Sequence, residues 1–381
     1  MSFLSTYSRT NDRCACLVQQ LAATAGVGFN GPQPWDIQVL NPDFYQRVFQ
    51  DGIIGLGEGY MEGWWDCERL DQLFTRLAAA KLDEQLPQQF SLLFSLIWAR
   101  LTNLQSAQRA WTVGKVHYDL GNDLFAVMLD PWMQYSCAYW KEADNLEAAQ
   151  EAKLDLICRK LALEPGMTLL DIGCGWGGMA EFAARRYGVS VVGITISKEQ
   201  HQLASERCKG LDVDIRLQDY RDLRQQFDRV VSVGMFEHVG PRNYDTFFRV
   251  VRRVIADDGL FLLHTIGGLQ TNLSINPWIE KYIFPNGCLP SMQQVTRSIE
   301  GLFVAEDWHN FGADYDRTLM AWEKRFKASW PKLKENYSDK FYRMFRYYLL
   351  SCAGGFRARD MQLWQILLSP NGVSGGIRVP R

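Results

Sequence analysis

Residues 169–184, LLDIGCGWGGMAEFAA, place one aspartate just before a cluster of glycines. Gly173, Gly175 and Gly178 have the spacing G-x-G-x-x-G, which is typical of a strand-to-helix turn that lets a ligand approach the backbone. Many nucleotide-binding proteins share this spacing, so it does not by itself identify the ligand. The alternative is a turn whose glycines only allow the helix to pack on the strand.

The aspartate separates two classes of ligand. A dinucleotide would need a carboxylate for its ribose at the end of the next strand, but that strand ends in ITIS (194–197), with no carboxylate before Glu199. Asp171 would also oppose a pyrophosphate, whereas it would suit a ligand that carries an ammonium and a sulfonium. The motif D-x-G-C-G-W-G therefore resembles the first motif of S-adenosylmethionine-dependent methyltransferases.

This resemblance implies a set of cofactor contacts. Thr195 and Gln200, after the second strand, are expected to hydrogen-bond the ribose, and residues 218–220, after the third strand, are expected to meet the adenine. The residues predicted to bind S-adenosyl-L-methionine are Tyr135, Ser136, Asp171, Gly173, Cys174, Gly175, Gly177, Thr195, Ile196, Gln200, Gln218, Asp219 and Tyr220.

Alternating strands and helices from about residue 165 must position these residues. Short β-branched or Leu-rich runs lie at 167–173, 190–196, 213–217, 227–234 and 259–267. Helical segments separate several of them, which indicates a parallel sheet covered on both faces. Two late runs, 303–311 and 363–369, are expected to add an antiparallel hairpin at one edge. The predicted fold class is α/β, a doubly wound, mostly parallel, seven-stranded Rossmann-like methyltransferase sheet.

The first hundred residues predict a small, mainly helical N-terminal domain (1–100) ahead of a catalytic domain (101–381). The segment FSLLFSLIWARL (90–101) is apolar nearly all round. We expect it to be buried in a core or to lie on lipid. The polar stretch 102–111 is the expected linker.

Further motifs resemble the bacterial cyclopropane-fatty-acyl-phospholipid synthases, and the likeness covers almost the whole chain. These motifs are GEGYMEGWW (57–65), YDLGNDLFAVMLDPWMQYSCAYW (118–140), DIGCGWGG (171–178), GITIS (193–197), MFEHVG (235–240), HTIG (264–267) and DWHNFGADYDRTLMAW (307–322).

The resemblance implies methylene transfer from S-adenosyl-L-methionine to a cis double bond of an unsaturated phospholipid acyl chain. The alkene attacks the sulfonium methyl and becomes a carbocation, and a base then removes a proton from the new methyl so that the ring closes. Such a site must exclude water and offer aromatic faces to the cation. The aromatic residues that suit this role are Tyr135, Tyr139, Trp140 and Tyr315.

The base implied by the resemblance is a bound bicarbonate ion. Its ligands would be the side chains of Cys137, Glu237, His264 and Tyr315 and the backbone of Ile266. Three of these residues also have a structural alternative: a helix cap and surface pair for Glu237–His238, a strand-end histidine for His264, and a small core residue for Cys137. Cys352 is a further candidate nucleophile, although packing of its helix through Gly354 and Gly355 also explains that segment. No metal site is predicted.

Two other functions stay open. A lipid C-methyltransferase would begin with the same attack but release a methyl-branched product. A non-catalytic module would bind S-adenosylmethionine or lipid without turnover, although Asp171, Glu237 and His264 argue against it.

Composition limits the partners. The net charge of −2 excludes a strongly basic nucleic-acid binder, and nine cysteines without paired CxxC spacing argue against a disulfide framework or structural zinc. No stretch approaches eighteen uninterrupted apolar residues, and the opening MSFLSTYSRT does not resemble a secretory signal. We therefore expect a cytoplasmic protein.

Charge is unevenly distributed. Residues 1–100 carry seven Lys and Arg against eleven Asp and Glu, whereas residues 317–359 carry eleven against three, interleaved with aromatics. The second segment is expected to contact the inner face of the membrane transiently; the alternative is a solvated basic face of a helical hairpin. The N-terminal domain is expected to contact lipid, to form a homodimer, or both.

Overall fold

The structure is a computed structural model that describes residues 2–81 and 121–381. It divides into two compact units. The smaller contains the N-terminal residues together with Asn276–Phe284 and Leu319–Asp360, and the larger contains the rest of the described chain. The apolar segment 90–101, the linker 102–111 and the domain boundary at residue 100 lie outside the described residues.

Helices and strands alternate through the larger unit. The described helices are α1 Ser2–Thr24, α2 Phe44–Met61, α3 Leu70–Ala79, α4 Asn122–Met128, α5 Leu146–Lys160, α6 Gly178–Tyr187, α7 Lys198–Arg207, α8 Tyr244–Val254, α9 Pro277–Tyr282, α10 Met292–Ile299, α11 Ala313–Leu333 and α12 Asp339–Arg357. The described strands are β1 Gln38–Val39, β2 Trp65–Asp66, β3 Thr168–Ile172, β4 Ser190–Thr195, β5 Val213–Leu217, β6 Phe227–Val233, β7 Ile255–Gly268, β8 Val304–Asn310 and β9 Met361–Ser369.

Seven strands form one sheet in the order β5-β4-β3-β6-β7-β9-β8. The strands β3 to β7 are parallel to one another, while β9 runs antiparallel to both β7 and β8. The predicted α/β class, the mostly parallel sheet and the antiparallel pair at one edge are therefore confirmed.

Both faces of this sheet are apolar and covered by helices. Neighbouring residues in a strand point to opposite faces, so Leu169 and Val231 pack with α5 and α6, whereas Leu170 and Val230 pack with α8. This explains why the strands are continuous apolar runs rather than alternating ones. The carboxyl ends of β3 to β7 consequently lie along one edge, where ligands bind in such folds.

The smaller unit is helical, as predicted for the N-terminal residues, but it recruits two later segments. Helix α12 packs so closely on α3 that a Cβ at Gly354 would lie 2.6 Å from the Cβ of Phe74. The Tyr347 ring lies 4.5 Å from that of Trp278 and 5.0 Å from that of Phe74. The chain segments are held together by an aromatic core rather than by sequence proximity.

The smaller unit shows which side chains of residues 317–359 are buried and which are exposed. Trp322, Phe326 and Phe345 are buried in its core, so these aromatics do not form an exposed apolar stripe. The exposed residues of this segment include Lys324, Lys327, Lys332 and Lys334. In the described residues, no helix is long and apolar enough to cross a membrane.

Candidate active site

The glycine turn joins β3 to α6. Gly173, Gly175 and Gly177 have φ angles of +84°, +54° and +80°, a region that glycine adopts without the cost of a side chain. A Cβ at Gly178 would lie 1.8 Å from the carbonyl oxygen of Trp132. The turn therefore needs glycine for its conformation and also for the close approach of the chain before α5.

Asp171 lies inside β3 and is 1% exposed. Its Oδ2 has no hydrogen-bond partner among the described residues. Burial raises the pKa of this carboxyl to about 7, while the charge of Lys153 opposes the shift. A buried acceptor without a partner at the start of the turn fits the ammonium of S-adenosyl-L-methionine, so the residues present suit that cofactor.

The ends of β4 and β5 bring other predicted cofactor residues together. Thr195 Oγ1 donates to Gln200 Oε1 at 2.9 Å, and the Gln218 amide donates to the Thr195 carbonyl at 3.0 Å. The Asp219 carboxylate accepts from the Arg221 amide at 2.9 Å and forms an ion pair with its guanidinium at 3.0 Å. These residues form one bonded group beside the turn.

Four other predicted cofactor residues line the same region. The Tyr135 ring lies 5.0 Å from that of Phe125. Tyr220 is buried against Phe247, with ring centroids 5.4 Å apart, and Ile196 is half-buried directly after β4. Cys174 is buried below the turn, and burial raises the pKa of its thiol.

A second group lies where β6 and β7 end. Glu237 Oε1 accepts the Ile266 amide at 2.7 Å, while its Oε2 has no partner among the described residues. Burial raises the pKa of this carboxyl to about 7, against the amides of Ile266 and Glu237 itself and the Thr265 side chain, all of which lower it. The Ile266 amide is thus bonded to Glu237 in this structure.

His264 is buried in β7, two residues before Ile266. Burial and the charges of Lys153 and Lys160 hold the pKa of its imidazole well below the usual value, so the ring is neutral. The Gln365 Nε2 lies 3.3 Å from His264 Nδ1; with the amide in this orientation, Nδ1 accepts and Nε2 carries the proton. His264 Nε2 has no partner in the described part of the chain, and with this tautomer it is an open buried donor.

The segment 135–140 and the first turns of α11 form the third side. Thr318 Oγ1 accepts the Ala138 amide at 3.1 Å and the Trp140 indole N–H at 2.9 Å, and Asp314 Oδ2 accepts the Trp140 amide at 2.8 Å. Cys137 and Tyr315 lie on these two bonded segments, and both are buried. Burial raises the pKa of the Cys137 thiol well above its usual value, so the thiol is neutral.

One aromatic ring connects the second and third groups. The Phe311 ring lies 5.3 Å from that of Tyr139 and 5.9 Å from that of His264. Printed contacts thus link Tyr139 to His264 through Phe311, the segment 138–140 to α11, and Glu237 to β7. Tyr139 and Trp140 are buried.

Cys352 stands apart from these groups. It lies on α12 in the smaller unit, and burial raises the pKa of its thiol to about 12. Since the thiolate is the nucleophilic form, this cysteine is not a nucleophile at neutral pH. Packing of α12 is the better account of the segment.

Three buried polar residues in the larger unit had no signal in the sequence. Lys153 and Gln150 bond the segment 134–136 from α5, and Gln365 reaches His264 from β9. Lys153 and Gln150 are two of several polar residues on α5, and Gln365 is one of two glutamines on β9, so residue type alone did not separate them from their polar neighbours. Only an expectation of where α5 and β9 pack could have singled them out.

Comparisons with known proteins agree with this geometry. A family model described as "Mycolic acid cyclopropane synthetase" matches residues 105–366. The cyclopropane-fatty-acyl-phospholipid synthase of Escherichia coli strain K12 is 61% identical over 380 residues, covering 100% of this chain and 99% of that protein. The chain belongs to the mycolic acid cyclopropane synthetase family.

Two more similarities fit that family. A probable fatty acid methyltransferase of Pseudomonas putida is 42% identical over 360 residues, 88% of each chain. The crystal structure of the mycolic acid cyclopropane synthase CmaA1 complexed with SAH and CTAB has a TM-score of 0.64 at 34% identity and covers 68% of this chain and 97% of that one. The predicted resemblance is confirmed, and so is the prediction of an S-adenosylmethionine-dependent methyltransferase.

Proposed function

We propose that this member of the family transfers a methylene group from S-adenosyl-L-methionine to the cis double bond of unsaturated phospholipid acyl chains, through a carbocation and with bound bicarbonate as the base. The observation that carries the proposal is the pair of buried atoms without partners among the described residues, Glu237 Oε2 and His264 Nε2. Buried polar atoms are almost always satisfied. An open acceptor on Glu237, which bonds the Ile266 amide of β7, and an open donor on His264, two residues earlier in β7, therefore point to a polar ligand.

These two atoms suit a hydrogencarbonate ion, which has both an O–H and negative oxygens. His264 Nε2–H can donate to an oxygen, and the carboxylate of Glu237 can accept the O–H and orient it. The neutral thiol of Cys137 and the phenol of Tyr315 can add weaker donors. The Ile266 amide already binds Glu237 at 2.7 Å, so its main part is to hold that carboxylate in place.

When bound, S-adenosyl-L-methionine supplies an electrophilic methyl and bicarbonate supplies a base. The protein has to keep water away from the cation and stabilise its charge. Tyr139, Trp140 and Phe311 are buried at this place, and their rings can face a positive charge. The Arg317 guanidinium covers the outer face of the Trp140 ring at 4.5 Å, which leaves the other face for the substrate.

The alternative product is a methyl-branched lipid. The Pseudomonas putida relative is named a probable fatty acid methyltransferase, a name that is compatible with this alternative. Both reactions start with the same attack, but ring closure needs a base near the new methyl. The open acceptor of Glu237 and the neutral donor of His264 favour such a base.

One assay tests the proposal. The purified protein is incubated with dioleoyl phospholipid vesicles, S-adenosyl-L-methionine and bicarbonate, and the acyl chains are analysed by mass spectrometry and proton NMR. We expect a gain of one CH₂ with loss of the olefinic signal and appearance of cyclopropane protons. A terminal methylene or methyl branch instead would establish the alternative, and unchanged oleoyl chains would refute both.

Access to lipid is a further part of the proposal. We infer that the exposed lysines of residues 317–359 attract the protein to the anionic inner face of the membrane. Homodimerisation through the N-terminal residues stays a prediction.

Sedimentation with anionic vesicles checks this attraction. Changing Lys324, Lys327, Lys332 and Lys334 to Glu should weaken binding at low salt, because each exposed lysine near such a surface contributes about 1 kcal/mol. The matched control changes four exposed cations of the larger unit, Lys141, Arg186, Lys198 and Lys209, to Glu. Equal binding by the fourfold variant and the control would reject this surface.

A further inference from the structure

Helix α5 carries a buried lysine that none of the sequence motifs includes, and this lysine bonds the predicted cofactor residue Ser136. Lys153, near the middle of α5, has 0% of its surface exposed. Its Nζ donates to Gln134 Oε1 at 2.6 Å and to Ser136 Oγ at 3.0 Å. Burying an ammonium is costly unless hydrogen-bond acceptors surround it. The contacts with Gln134 and Ser136 therefore stabilise the charge of Lys153 in the interior.

The acceptors belong to a segment that is fixed from several sides. Asp130 Oδ1 accepts the Gln134 amide at 2.9 Å. Gln150, one turn before Lys153, donates to the carbonyl of Ser136 at 2.9 Å and to that of Gln134 at 3.2 Å. This segment also contacts the glycine turn, since a Cβ at Gly178 would lie 2.6 Å from Gln134 Nε2. Helix α5 therefore ties residues 134–136 to the cofactor side of the sheet.

The charge of Lys153 acts on both halves of the site. It attracts the carboxylate of Asp171 and lowers the pKa of that group against burial. It also opposes protonation of His264. Burial lowers the pKa of Lys153 to about 8, and Asp130, Cys137 and Asp171 counter the shift, so at neutral pH the side chain is mainly an ammonium.

We propose that Lys153 is a positioning residue for S-adenosyl-L-methionine, acting through Ser136 and balancing the charge of Asp171. An ammonium can only donate, so Ser136 Oγ accepts from it and the serine hydroxyl hydrogen is turned away, free to donate to an anionic group of the ligand. The cofactor's carboxylate is such a group. The inference rests on the proposed function only in taking this cofactor as the ligand.

The test compares two buried lysines of one helix. Lys153→Met removes the charge and keeps the length of the chain. Lys160→Met is the matched control, because Lys160 is also 0% exposed but bonds Asp307 at 3.2 Å and His309 at 3.1 Å instead. The dissociation constant of S-adenosylhomocysteine is measured by titration calorimetry for both variants, after circular dichroism has confirmed that each is folded.

We expect Lys153→Met to weaken S-adenosylhomocysteine binding about tenfold or more, the scale of a lost charge-assisted hydrogen bond, and Lys160→Met to change it less than twofold. In turnover, the KM for S-adenosyl-L-methionine should rise while that for phospholipid stays constant. A purely structural role would lower the unfolding temperature of both variants without moving the dissociation constant. Wild-type affinity in folded Lys153→Met would overturn the proposal.

A double variant tests the route through serine. If Lys153 acts through Ser136, then Lys153→Met combined with Ser136→Ala should bind little more weakly than Ser136→Ala alone; fully additive losses would contradict the route. Should Lys153→Met not fold, Gln134→Met removes one acceptor without burying a new charge. It must then weaken S-adenosylhomocysteine binding, and wild-type affinity would overturn the proposal.

The outcomes separate this inference from the proposed function. Wild-type protein that binds S-adenosylhomocysteine but forms no cyclopropane lipid would contradict the proposed function alone. Unchanged affinity in the lysine variant would contradict the role of Lys153 alone.

Discussion

At the scale of single residues, the proposed site contains two carboxyl groups whose pKa is raised by burial. Asp171 and Glu237 each have a pKa raised to about 7 by burial, and each has one oxygen without a partner among the described residues. Such groups lower the stability of the ligand-free protein, and a ligand that supplies the missing contact removes this penalty. This is the pattern expected of binding and catalytic residues rather than of structural ones.

Removing either open polar side chain, Glu237 after β6 or His264 in β7, should lower turnover while leaving cofactor binding largely unchanged. Glu237→Ala and His264→Ala are each expected to lower kcat about a hundredfold or more, because each would lose a partner in proton transfer. Calorimetry should find S-adenosylhomocysteine affinity within a few-fold of wild type. His201→Ala is the control, since that histidine is bonded to the Ile215 carbonyl on the outside of the sheet at 3.2 Å. Near-normal turnover in either site variant would contradict the assignment.

The pH dependence of turnover should report Glu237. Its role as an acceptor requires the ionised form, and its pKa is about 7, so kcat should rise with pH through this region and level off above it. His264 stays neutral over the same range because its pKa is lowered, so its titration adds no second transition to the pH profile of kcat. Assays at fixed total bicarbonate and at several concentrations from pH 6 to 9 separate this effect from titration of the ion itself. A rate independent of pH below 7 at saturating bicarbonate would contradict the prediction.

Asp171→Asn should stabilise the empty protein while weakening cofactor binding. The folded pKa of about 7 lies above the usual value of 3.8, so this group favours folding fully only below pH 4, and the benefit is lost as pH rises to 7. Above pH 7 the substitution should add roughly 2 to 4 kcal/mol to the free energy of unfolding. Urea titrations at pH 5 and pH 8 measure it, with exposed Asp214→Asn as control. An unchanged free energy of unfolding at pH 8 would contradict the prediction and would indicate that the charge of Lys153 offsets the cost of burying the Asp171 carboxylate.

At the scale of elements, residues distant in sequence meet because strands end together. Glu237 follows β6 and bonds the Ile266 amide of β7, while α11 binds the segment 138–140 through Thr318. The antiparallel β9 inserts between β7 and β8 and pairs Gln365 with His264 in register. The last strand of the chain thereby orients a histidine one hundred residues earlier in the sequence.

Gln365→Leu should impair catalysis through His264. Without the amide at 3.3 Å, Nδ1 loses its partner and the tautomer with a proton on Nε2 is no longer favoured. We expect a fall in kcat of about tenfold or more, on the scale found for groups that orient a functional histidine, with S-adenosylhomocysteine affinity unchanged. Gln362→Leu is the control, because that amide accepts from Asn310 at 2.9 Å. Equal kcat in the two variants would refute the orienting role.

At the scale of the whole molecule, two compact units share one chain that passes between them several times. The larger unit holds every predicted cofactor and bicarbonate residue, and the smaller holds the exposed lysines proposed to meet the membrane. The smaller unit is built from residues before 82 and from Asn276–Phe284 and Leu319–Asp360. A domain defined by sequence position alone therefore does not describe how the chain is divided.

The sequence alone was enough to predict the sheet and the glycine turn, and it also singled out candidate site residues. The strands are continuous apolar runs because both of their faces are buried, and the glycines are needed for positive φ; both are local requirements that each residue type expresses directly. Ordered motifs then identified Glu237 and His264, which the structure leaves with open buried atoms.

The buried polar contacts of Lys153 and Gln365 became visible only in the tertiary structure. On the sequence, Lys153 cannot be told from the other polar residues of α5, and Gln365 cannot be told from Gln362 on β9, because their partners lie 17 and 101 residues away. Packing likewise decided that Trp322, Phe326 and Phe345 are buried, whereas the lysines of the same segment are exposed. Long-range contacts of this kind depend on how elements pack against each other, and no local pattern of residue types records that.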